Sequence, residues 1–258
     1  AKGYSFPQME PHSLLWYYLW IAPHLLQIPL AIVIFKRKLH RDFPWFLTYT
    51  IYQILGNAVL LLLNHSPQIS GKSYQIALDV DAILSIILRF AVIYEIFHVS
   101  LKPYESLQRV SSALGNTVLI SLLLGALGVA VYGPVPQYTT GLISMSVTTY
   151  RAGSMVQCGL LLFLFLFSYY FRISWRSFVF GIASGLAFYL SVQLAMSALL
   201  ALSYIKSADA IDMAAYHCSV LIWLGYALAR QRVPVAMKTV PNHQLESWNL
   251  ELQRLLER

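Results

Sequence analysis

Seven stretches of about twenty mainly apolar residues, joined by short polar links, constrain this chain more than any other feature. They cover residues 14–35, 44–63, 74–97, 112–132, 151–171, 178–204 and 210–229. A helix of about twenty such residues crosses the ~30 Å hydrocarbon core of a bilayer. Only 11% of the 258 residues are charged and 58% are hydrophobic. A soluble domain carries about 25% charge to cover its surface, so a soluble globular fold is excluded. Disorder is excluded by the same hydrophobicity. The strict alternation of a membrane β-barrel is absent. The expected fold is all-α: an integral membrane bundle of seven transmembrane helices over residues 14–232. An extracytoplasmic segment, 1–13, precedes it, and a cytoplasmic tail, 233–258, follows.

The links carry the orientation signal. One side collects thirteen basic residues: Lys36, Arg37, Lys38, Arg41, Lys102, Arg109, Arg172, Arg176, Arg230, Arg232, Lys238, Arg254 and Arg258. The other side has three, Lys2, Lys72 and Lys206. The positive-inside rule then places the amino terminus outside and the carboxyl terminus in the cytoplasm. In a bacterium this is the inner, or plasma, membrane. The net charge of +7 is thereby explained by membrane orientation, and no nucleic-acid partner is expected. Trp16, Tyr17, Tyr18 and Trp20 at one face, and Trp45, Tyr169, Tyr170 and Trp175 at the other, suit the two interfacial belts. Cys158 and Cys218 both fall inside apolar spans, which suits neither a disulfide framework nor a zinc site.

The tail changes character after Pro241. Asn242 suits a helix cap, and Leu245, Trp248, Leu252 and Leu255 recur at amphipathic spacing as far as Arg258. Residues 242–258 are expected to lie on the membrane surface or on the bundle, or to meet a protein partner or a second copy.

Charge inside a bilayer is costly and marks function by default. The third span holds Asp79, Asp81, Arg89 and Glu95. At about 100° per residue, Asp81, Ser85 and Arg89 share an arc of about 80°, with Glu95 about 40° to its other side. Asp79 faces nearly opposite. Arg89 constrains the interior most, because arginine does not become neutral to escape burial. It requires an ion pair with Asp81 or Glu95, a ligand, or a place on an ion path. Other polar residues gather at similar depth: His24 and Gln27 between Pro23 and Pro29, Gln53 and Asn57 one turn apart, and Arg151 at the outer end of its span. Ser154, Gln157, Gln193, Asp212, Tyr216 and His217 complete them. The prolines are expected to break and bend the first span. The residues singled out as ligand-binding or ion-pathway candidates are Arg89, Asp81, Glu95, Ser85, His24, Gln53, Asn57, Arg151, Gln157, Gln193 and His217. Interhelical hydrogen bonding is the plain alternative for many of them, at about 0.6 kcal/mol each. Gly181 and Gly185 form a Gly-x-x-x-Gly pair, whose ordinary meaning is close helix packing.

Catalytic motifs are missing. No zinc-protease, phosphate-loop or dinucleotide fingerprint occurs. Asp79 and Asp81 point to different faces, which argues against a carboxylate dyad. The chain is not expected to be an enzyme, to hold a metal, or to need a cofactor. The alternative is haem b held between His24 and His217, if the first and last spans face each other.

The layout is similar to that of seven-helix receptors and to the sensory membrane regions of some bacterial signalling proteins. The likeness is one of topology, and it implies no residue roles. The leading expectation is a small sensor or ligand-binding membrane protein that signals through a partner. The alternatives are an ion- or solute-translocating transporter and a subunit of a larger membrane complex.

Overall fold

The computed structural model describes residues 14–66, 69–101, 142–170, 178–202 and 208–229, with Ile120 and Leu124 as isolated helical positions. Among them there is no strand. Six long helices account for nearly all of them: α1 (Leu14–Lys36), α2 (Pro44–His65), α3 (Gly71–Leu101), α4 (Leu142–Tyr170), α5 (Phe178–Leu202) and α6 (Ala208–Leu228). They coincide with six of the seven apolar spans. The remaining span, 112–132, lies almost wholly outside the described residues, as do 1–13 and the amphipathic 242–258.

Two expectations are corrected. The first span is not broken, since α1 is helical through both Pro23 and Pro29. The fifth span begins at Leu142 rather than 151, so Arg151 sits more than two turns inside α4 and not at its end. Proline is tolerated inside a membrane helix where other groups or water satisfy the freed backbone carbonyls, and an apolar run marks the membrane-crossing part of a helix, not the helix ends.

Among the described residues, four helices are long and apolar enough to cross a membrane: α1, α2, α6 and the stretch Phe178–Leu199 of α5. This composition is that of a multi-pass membrane protein. The outer surface agrees with it, for Leu25, Leu55, Ile87, Leu162 and Leu166 are large, apolar and exposed. In water such a surface would drive aggregation.

Each helix packs on its neighbours in the chain, α6 closes the ring against α1, and α3 reaches across to α5. The two ends of the ring differ. At the end carrying the basic link Lys36–Arg41, Leu30, Ile34, Phe43, Phe46, Ile96, Phe178, Ile182, Trp223 and Ala227 form a closed apolar core. Trp223 lies near its middle, edge-on to Phe46 at 5.3 Å and to Tyr216 at 6.2 Å. Its indole N–H donates to the Ile182 carbonyl at 3.2 Å. Gly185 makes this possible, because any Cβ there would collide with the Trp223 ring. Gly181 stands in the same relation to Tyr226. The Gly-x-x-x-Gly pair is therefore the contact face of α5 on α6.

The link between α1 and α2 is a tight corner. Lys38 takes a left-handed conformation at φ 59°, a turn Leu39–Arg41 follows, and Pro44 opens α2 with its preset φ. No side chain of the preceding residue caps α2. Glu95 of α3 does so instead, accepting from the backbone N–H of Trp45 at 2.8 Å and of Phe46 at 3.0 Å. A carboxylate at a helix start both fills orphan donors and meets the positive end of the helix dipole.

Candidate functional site

Away from the basic link the core gives way to a cavity of about 250 Å³. Its walls come from five helices: Leu19, Trp20, Pro23 and His24 of α1; Tyr49, Gln53, Asn57 and Leu60 of α2; Asp81, Ser85 and Arg89 of α3; Tyr189 of α5; and Asp212, Met213 and Tyr216 of α6. The position follows from helix direction. It lies in the first half of α1 and of α6 and around the middle of α3, which are at one depth in a bundle of alternating helices.

Arg89 forms the floor. It is 1% exposed. Its Nε donates to the Ser85 carbonyl at 3.3 Å, and its Nη1 donates to Gln193 Oε1 at 3.2 Å. The guanidinium carbon lies 5.6 Å from the centre of the Tyr189 ring. Gln193 is a hub behind the cavity. Its Oε1 also accepts from Ser154 at 2.8 Å, and its Nε2 donates to the Tyr189 hydroxyl at 3.0 Å. That hydroxyl also faces the Asp212 carboxylate. The charge of Arg89 acts on both Asp81 and Asp212.

The α2 side is held separately. Tyr52 donates to Asp81 Oδ1 at 2.8 Å, and Gln53 donates to Ser85 Oγ at 2.9 Å. Gly56 leaves room for this arrangement, because a Cβ there would come 2.8 Å from Asp81 Oδ1. On the α1 side, Gln27 donates to the Tyr216 hydroxyl at 2.6 Å. Tyr49 also bonds to that hydroxyl. His24 Nδ1 lies 2.8 Å from the Trp20 carbonyl, and a carbonyl only accepts, so Nδ1 carries the proton of that bond. The rings of His24 and Tyr189 both pack on Tyr216, at 5.6 and 5.2 Å.

Six of the residues singled out from sequence thus meet in one cavity: Arg89, Asp81, Ser85, His24, Gln53 and Asn57. Gln193 joins through Arg89 and Tyr189 without lining it. Gln157 is buried and braces α4 on α3, donating to the Ile86 carbonyl at 3.0 Å. Arg151 is half-buried on α4, outside the cavity walls. Glu95 belongs to the α2 cap and not to the Asp81–Arg89 stripe. The two histidines do not share the cavity: His24 borders it, whereas the His217 ring packs on Tyr18 at 5.7 Å. No cluster of three or more metal-ligating side chains occurs among the described residues.

Asp212 and Tyr216 stand among the polar residues that the sequence gathers at this depth, but neither they nor Tyr49 and Tyr189 are among the candidates singled out. The available signal was weak: Asp212 and Tyr216 are four apart on the last span, so both fall on one helix face. No protein-family model matches this chain, and comparison with curated proteins and with solved structures finds no similar one.

Proposed function

We propose that this chain is a multi-pass membrane protein that binds a small polar molecule in the Arg89 cavity and passes the event to a partner through its tail. The observation that carries this reading is the cavity itself, which gathers two carboxylates, a guanidinium and seven neutral polar side chains between five helices. Polar groups at this depth are expensive unless they face one another, water or a ligand. With the amino terminus outside, the cavity lies in the outer half of the bilayer and is reached from that side.

The same geometry supports signal transfer. A molecule touching both Asp81 on α3 and Asp212 on α6 ties two sides of the ring together. From Asp212, α6 runs to the basic-link end, where Arg37 donates to the carbonyls of Leu228 and Ala229 at 2.9 and 2.8 Å. The tail continues from that point. A shift of α6 at the cavity therefore changes a contact at the opposite end of the same rigid element.

A thermal-stability screen of the detergent-purified protein against small cationic, anionic and neutral polar molecules tests binding. A bound compound raises the melting temperature of the wild type. Asn57→Phe, which fills the cavity from α2, should remove that shift while the protein still inserts and folds. Failure of every compound to stabilise the wild type sinks the reading. Ion or solute translocation is the second reading, favoured by ionisable residues in a membrane-depth cavity. Flux in proteoliposomes separates the two.

A further inference from the structure

The charge of the cavity decides what class of molecule it takes. This inference deepens the ligand-binding reading above and rests on it. Sequence spacing pairs Arg89 with Asp81, one cation with one anion. The ring of helices adds Asp212 from α6 to the same walls, so the cavity holds one guanidinium and two carboxylates. The remaining polar lining, His24, Tyr49, Gln53, Asn57, Ser85, Tyr189 and Tyr216, balances neither. Asp81 accepts the Tyr52 hydroxyl and sits against α2. Asp212 is bonded by the Tyr189 hydroxyl, while its Oδ1 is buried and accepts no hydrogen bond among the described residues. One guanidinium leaves one carboxylate charge uncompensated, in surroundings where uncompensated charge is costly.

The wall beside Asp212 is aromatic. Tyr216 is one turn further along the same helix, with Tyr189 and His24 packed on its ring, and Trp20 and Tyr49 also line the space. Ring faces attract cations, and organic ammonium ions most usefully, because these keep apolar surface for the rings to cover. A hard metal ion instead asks for six or more oxygen ligands, which aromatic walls do not supply. The volume, about 250 Å³, is below the ~300–1,000 Å³ of sites for drug-sized ligands, so the molecule is small.

We propose that the cavity binds a small organic cation, a protonated or quaternary amine, with its charge on Asp212 and its body against Tyr216, Tyr189 and Trp20. Arg89, whose charge acts on both carboxylates and which binds the Gln193 hub, offsets only one of the two negative charges, and the net negative charge that remains repels anions from the same space.

The test uses the full-length protein in mild detergent with defined probes: ethylammonium and tetramethylammonium chloride, against sodium acetate and neutral acetamide at equal ionic strength. Trp20 in the wall reports binding by its fluorescence, with Trp20→Phe as the control for the other tryptophans, and native mass spectrometry counts the bound molecules. The expected result is that an ammonium probe binds about ten-fold or more tightly than acetate and acetamide, and that Asp212→Asn removes the preference. Asp209→Asn, at an exposed carboxylate one turn before Asp212, should leave it intact. Preferential binding of acetate or acetamide that Asn57→Phe abolishes overturns the charge class and leaves the binding reading standing. No binding of any probe, with Asp212→Asn more heat-stable than wild type, means that a proton balances the second carboxylate, which also overturns it. No binding and no change in any variant removes the binding reading as well.

Discussion

At the scale of single residues, Arg89 shows how a charge survives at membrane depth. It is held by a backbone carbonyl, a glutamine and the fields of two carboxylates. Removing it strands both carboxylates and half-empties the Gln193 hub. Arg89→Gln should therefore destabilise the protein by about 3–5 kcal/mol, read as a fall in melting temperature. Adding Asp81→Asn to that variant should recover a measurable part of the loss. Strict additivity in this double-mutant cycle would show that the two groups do not interact. A smaller change, Gly56→Ala, pushes on the far end of the Asp81 side chain and on nothing rigid. It should cost less than about 1 kcal/mol of stability and yet alter ligand affinity, measured by the same fluorescence titration. The arc shared by Asp81, Ser85 and Arg89 was legible in sequence, because it needs only the helical period. That Asp212 faces them was not, because the rotation of one helix against another leaves no trace in local spacing.

At the scale of elements, two contacts hold the helices in register, and each belongs to a pair of helices. Gly185 lets α6 approach α5 until the Trp223 indole reaches the Ile182 carbonyl. Gly185→Ala should cost about 1–3 kcal/mol through overpacking, and Gly225→Ala, where open space surrounds the position, should cost almost nothing. Equal melting temperatures for the two variants would refute the assignment of that interface. Glu95 caps α2 across the α2–α3 boundary. Glu95→Ala should lose about 1–3 kcal/mol, and Glu95→Gln, which keeps one acceptor oxygen, distinctly less. Sequence suggested the first of these roles, since small residues four apart commonly mark a packing face. It pointed elsewhere for Glu95. A buried carboxylate on a charged stripe looks like part of an ion path until the neighbouring helix start is seen to need a cap.

At the scale of the whole molecule, the ring is closed at the basic-link end and hollow at the other, with α6 joining the two. If binding is passed along α6, Arg37→Ala should free the end of that helix from the α1 corner. Ligand affinity should stay within about two-fold of wild type. The ligand-induced change in protease protection of the tail should disappear. Loss of affinity instead would make Arg37 part of the fold of the cavity. Lys38→Cys in a cysteine-free background should react with an impermeant thiol reagent only from the cytoplasmic side, which tests the orientation. Sequence by itself determined the all-helical class and the approximate positions of the six described helices. Apolar runs of about twenty residues in a chain this poor in charge have no other stable use, and the basic links collect on one side of them. Only the tertiary structure decided which polar side chains share a space and what charge that space carries. Those depend on the order and rotation of helices in the ring, and such contacts as Trp223 on Gly185 and Tyr216 on Gln27 set them across large separations in sequence.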